Sequence, residues 1–125
     1  MWSVRTVALT CLCLALDACS PHSEAAPADA APSCPNDLPA ACPSTVPSYA
    51  ADVAFIFEVH CNSCHGTGGT AADRPLTDYA AIYRQRGSVL DQIYNCHMPP
   101  ELERPLTAEQ RAKVLAWLVC KAPNN

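Results

Sequence analysis

The sequence predicts an all-α domain over residues 48–125, and two observations carry that expectation. Apolar residues recur at helical spacing over residues 49–59 and again over 114–119, and each run follows a side chain suited to capping a helix. No stretch alternates apolar and polar residues as a half-buried strand does, and no internal repeat is visible.

Taken in order, Ser48 is the expected N-cap of the first helix, on which Val53, Ile56, Phe57 and His60 share one face. This helix runs directly into Cys61. Gly66, Gly68 and Gly69 end it and open a loop. Thr77 is expected to cap a second segment over 78–86, and Gly87 or Ser88 to separate it from a short third over 89–94. Pro99 and Pro100 exclude a helix through the next stretch, because proline lacks the N–H and restricts its predecessor. Thr107 with Gln110 three residues later forms a capping box for the last helix, whose apolar side is Val114, Leu115, Trp117, Leu118 and Val119.

Composition narrows the class. At 125 residues the chain holds one domain at most once terminal segments are set aside. Half of the residues are apolar and 16% are charged, so the chain is not disordered throughout. Nine cysteines point to an oxidising compartment. The net charge of −4, without a basic run, leaves no nucleic-acid footprint. Aromatic residues are few, at 6%, so the polypeptide offers a thin core that a buried apolar group would complete.

Residues 1–19 read as an export signal. Arg5 is the only positive charge, and the apolar run over 7–16 has signal-peptide length, too short to span a bilayer. The run ends in Leu16-Asp17-Ala18-Cys19, which resembles the lipobox of bacterial lipoproteins, with Asp17 departing from the pattern. That resemblance implies lipidation of Cys19 and anchoring on the periplasmic side of a bacterial membrane; the other reading is an ordinary cleaved signal. Over 20–47 the composition changes: seven of the twelve prolines lie here, among many alanines. Such a stretch reads as a tether. His22 lies in it without an assignable role.

The chemistry centres on Cys61-Asn62-Ser63-Cys64-His65, a C-x-x-C-H pentapeptide. Two thiols at this spacing can each form a thioether to haem, with the adjacent histidine supplying an axial nitrogen. Three alternatives stay open at this point. The pair could be half of a zinc site, though Cys34/Cys42 and Cys96/Cys120 lack zinc-ligand spacing. It could be a dithiol redox motif, though no βαβ pattern surrounds it. It could also be chance in a cysteine-rich chain.

A helix leading into C-x-x-C-H, a small middle helix, a Met98-Pro99 pair and a C-terminal helix resemble the layout of small class I c-type cytochromes, over about residues 48–122. The resemblance implies a small helical domain wrapped around one covalent haem c, an electron carrier and not an enzyme. It implies that the first and last helices cross, which would bring Trp117 near Phe55 or Phe57, and that a late-loop methionine is the distal ligand. Met98 also fits by elimination, since Met1 leaves with the signal. His97 is the rival, but consecutive residues of an extended loop point opposite ways. The resemblance further implies a proline carbonyl as acceptor for the proximal imidazole, and Pro75 is the candidate. Arg74, Arg84 and Arg86 are candidates for neutralising haem propionates.

With Cys11 and Cys13 leaving with the signal, Cys19 lipidated and Cys61 and Cys64 on haem, four cysteines remain and permit three pairings. Local pairing gives the expectation Cys34–Cys42 and Cys96–Cys120. The function expected is exported, membrane-tethered transfer of single electrons between redox partner proteins. The alternative is a haem-based gas or redox sensor, or a ligand-binding domain, in which a labile Met98 yields to a ligand. From Ser48 onward seven Lys/Arg oppose eight Asp/Glu, too balanced to specify the charge of a partner.

Overall fold

Five α-helices follow a π-helical turn in the computed structural model, which describes residues 34–100 and 102–125. The expected signal over 1–19, with Arg5 and Cys19, and the tether as far as residue 33, with His22, lie outside the described residues. Among those residues there is no strand, and no helix is long and apolar enough to cross a membrane.

Ser48 starts the first element as its cap: its Oγ accepts from the Ala51 amide at 3.2 Å, while its own amide donates to Asp52 at 2.9 Å. The π-helical turn Tyr49–Val53 passes into α1, Ala54–His60. A single turn, α2, Asn62–His65, continues beyond Cys61 and is closed by Gly66. The next helix, α3, spans Tyr79–Arg84. Its cap is Asp78 rather than Thr77: the Asp78 carboxylate receives the Ala81 amide at 2.9 Å, and Thr77 turns its hydroxyl to Asp78 instead. Helix α4 is Arg86–Tyr94, longer than expected, because Gly87 and Ser88 are accommodated inside it rather than breaking it. Helix α5, Ala108–Val119, carries the complete capping box between Thr107 and Gln110.

The core is the meeting of the N-terminal helical segment with α5. Trp117 is fully buried, 6.3 Å from Phe57 and 5.7 Å from Tyr49 by ring centroids, and its indole N–H donates to the Pro123 carbonyl. Truncating such a ring costs about 3–5 kcal/mol. Phe57 is the aromatic partner; Phe55 is 67% exposed on the opposite side of α1. Ile82, Val89 and Ile93 bring α3 and α4 into the same cluster.

Residues 34–47 are not a free tether. They carry no regular secondary structure, but two disulfides and an ion pair bind them to the helices. The pairing is Cys34–Cys96 and Cys42–Cys120, with S–S distances of 2.07 and 1.97 Å, in place of the expected Cys34–Cys42 and Cys96–Cys120. The reason is the length of α5. Cys96 lies beside Arg111 in the first turn of α5, 3.6 Å from a guanidinium nitrogen. Cys120 follows the far end of that helix, nine residues and about 13 Å of helical rise away. Only an extended segment can reach both, and the proline-rich arm is that segment.

Candidate cofactor site

The C-x-x-C-H pentapeptide is folded as a turn by its own backbone. The His65 amide donates to the Cys61 carbonyl at 2.8 Å and the Cys64 amide to the same oxygen at 3.2 Å. The following loop then turns back over it, with Ala71 donating to the Cys64 carbonyl at 2.9 Å and Leu76 to the His65 carbonyl at 3.2 Å. Gly69 is required at this return, since a Cβ there would strike the Cys64 carbonyl oxygen.

This turn forms one wall of a cavity of about 360 Å³, within the usual range for small-ligand sites. Ile56, Phe57, Leu76, Val89, Ile93 and Val114 supply its apolar lining. Cys61, Cys64, His65 and Met98, separated by up to 37 positions in the chain, all line it. His97 is exposed and is not on the cavity wall. The Gln92 carbonyl accepts from both the His97 and Met98 amides, at 2.9 and 3.1 Å, and so anchors the chain at the entry to the Met98 loop.

Cys61 and Cys64 are free thiols, whereas the other four described cysteines are paired. Burial, reinforced by the neighbouring Cys64, pushes the Cys61 thiol up to about 12. Cys61 is therefore protonated at neutral pH.

The His65 ring is oriented by its Nδ1, 2.8 Å from the Arg74 carbonyl. A carbonyl only accepts, so Nδ1 carries a proton, and in the neutral ring this leaves the lone pair on Nε2. The acceptor is thus Arg74 and not Pro75, whose carbonyl receives Gln85 Nε2 at 2.7 Å instead. Of the three arginines proposed for propionates, Arg74 lines the cavity and Arg84 does not. Arg86 lies over the Tyr83 ring at 4.2 Å and donates to the Tyr83 carbonyl.

The donor set can be tested against the groups it could hold. Among the described residues no cluster of three His, Cys, Asp or Glu side chains is arranged to hold a bare metal ion. Two free thiols, an oriented imidazole and a thioether around one apolar cavity do fit a large apolar iron macrocycle.

His60, expected on the apolar face of the first helix, has a partner that the sequence does not announce. It is half-buried, lines the same cavity, and places Nδ1 2.7 Å from the Arg104 carbonyl. Comparison with protein-family models, curated proteins and solved structures finds no match to this chain.

Proposed function

We propose that the chain is an exported mono-haem c-type cytochrome that carries single electrons between redox partner proteins. The observation that carries this reading is the convergence of Cys61, Cys64, His65 and Met98 on one apolar cavity. In this reading the domain wraps one covalent haem c, and the iron supplies reversible one-electron chemistry.

The chain's own residues have distinct tasks. Cys61 and Cys64 offer thiols for two thioether links, and the α2 turn fixes their spacing. His65 offers Nε2 as axial donor, with its ring orientation set by the Arg74 carbonyl. Met98 would offer a thioether from the connection that follows α4. Were His65 and Met98 both to hold the iron, no position would be left for a substrate, which would suit outer-sphere transfer by a carrier rather than catalysis. A methionine donor also favours ferrous iron over a bis-histidine arrangement, raising the potential. Arg74, on the cavity wall, is the arginine best placed to neutralise a propionate.

The test is expression of the full chain alongside a cytochrome c maturation system, followed by redox titration and exposure of the reduced protein to carbon monoxide. The reading predicts one reversible one-electron transition and no carbon monoxide adduct. A rapidly formed adduct would instead favour the sensor, with Met98 yielding to the gas. A colourless product would remove the haem reading.

A further inference from the structure

We infer that His60 is the latch of the Met98 loop, the residue that sets how readily Met98 gives way to an incoming ligand. The inference deepens the reading of Met98 as an axial donor and rests on it.

Residues 95–107 join α4 to α5, and Met98, Pro99, Pro100 and Glu103 of this connection line the cavity. Beyond Met98 its hydrogen bonding is sparse. Pro99, Pro100 and Pro105 have no N–H to give. The Glu103 amide donates to Pro100 at 2.9 Å, within the loop itself. Among the described residues, the bond between His60 Nδ1 and the Arg104 carbonyl, at 2.7 Å, is the one hydrogen bond joining 99–106 to another element. Neither Glu103 nor Arg104 makes an ion pair among those residues. Apolar contact supplies the rest of the attachment, chiefly Leu106 against the core.

His60 is also placed to act on the right part of the molecule. It ends α1 and immediately precedes Cys61, so the latch fastens the connection after Met98 to the end of α1, next to the Cys61–His65 turn. The acceptor is a backbone carbonyl, which fixes Nδ1 as the protonated nitrogen, the same arrangement as His65 with Arg74. If Met98 holds the iron, an incoming ligand would have to displace its thioether, and beyond the Gln92 carbonyl that holds the Met98 amide the following chain would have to give way with it. Breaking the latch raises the population of the state in which that chain has given way. His60 is therefore a positioning residue: it controls exchange at the distal site through the loop.

The test uses the matured full-length protein, its His60→Ala variant and its His60→Asn variant, in which the amide Nδ2–H can replace the Nδ1–H donor. Two readouts are taken: hydrogen exchange of the Glu103 amide, which is held to the Pro100 carbonyl, and the rate at which imidazole binds the ferric protein. His60→Ala should raise both by roughly threefold to tenfold, the range expected for one lost hydrogen bond, while amides within α5 keep their protection. His60→Asn should return both to near the original values. Unchanged loop exchange in His60→Ala, or equal acceleration in both variants together with α5, would overturn the latch. Loop exchange needs no iron, so it judges the latch even if maturation yields no haem; that result would count against the haem reading alone.

Discussion

Asp37 meets Arg111 side-on, with Oδ2 2.7 Å from Nε and Oδ1 2.8 Å from Nη2. The same guanidinium donates to the carbonyls of Ile93 and Tyr94 at the end of α4 and to that of Pro35 in the arm. One buried cation thus gathers the arm, α4 and α5. The hydrogen bond from Arg111 holds the Asp37 carboxyl below its ordinary value of 3.8, with burial opposing it. Because the folded value is the lower one, the stabilisation is complete above the ordinary value and is lost as pH falls through the lowered one. Asp37→Asn should cost about 1–3 kcal/mol at neutral pH, toward the low end because Asp37 is partly exposed, and should flatten the acid limb of a stability–pH curve. Denaturant unfolding at several pH values checks this; an unaltered acid limb would contradict it.

The disulfides give a second expectation. Non-reducing peptide mapping should yield Cys34 joined to Cys96 and Cys42 joined to Cys120. Their sequence separations of 62 and 78 residues correspond to about 4 kcal/mol each on the chain-entropy estimate. A Cys42→Ser/Cys120→Ser double variant should lose an amount of that order in denaturant unfolding. A Cys34–Cys42 peptide would refute the arrangement.

Met98→Ala should abolish the weak far-red sulfur-to-iron band of the ferric protein and lower its potential, because the thioether favours ferrous iron. His97 faces away from the cavity wall and should not take the vacated position by a simple side-chain rotation. His97→Ala should therefore leave both readouts unchanged. A band that survives Met98→Ala would remove the assignment.

Lipid anchoring through Cys19 remains a proposal from the signal alone. Cys19→Ala should stop incorporation of labelled fatty acid and release the exported protein from the membrane, since two or more acyl chains are needed for stable anchorage. If the unmodified chain takes up no label, Asp17 marks an ordinary signal instead.

What could be read in advance was local chemistry. The Ser48 cap and the Thr107–Gln110 box depend on residues three or four apart, and both are in place. The free thiols and the oriented His65 stand in one contiguous pentapeptide. The arm misled because a proline-rich composition describes conformational preference and says nothing about anchors at Cys34, Asp37 and Cys42. One signal was available: Arg111 falls on the same helical stripe as Val114, Leu115 and Leu118, where a cation must find a partner. The pairing of four cysteines is not fixed by their order. The Arg74 carbonyl in place of Pro75, and the Arg104 carbonyl facing His60, are backbone acceptors, which any residue type carries. No side-chain pattern announces them.

The central claim is covalent attachment at Cys61 and Cys64. Its most direct measurement is the intact mass of the matured protein before and after extraction with acidified organic solvent, beside a Cys61→Ser/Cys64→Ser variant. The account predicts that the mass of one haem stays with the polypeptide through extraction and that the double variant retains none. Haem that leaves completely into the solvent, or a matured chain carrying no added haem mass, would contradict it.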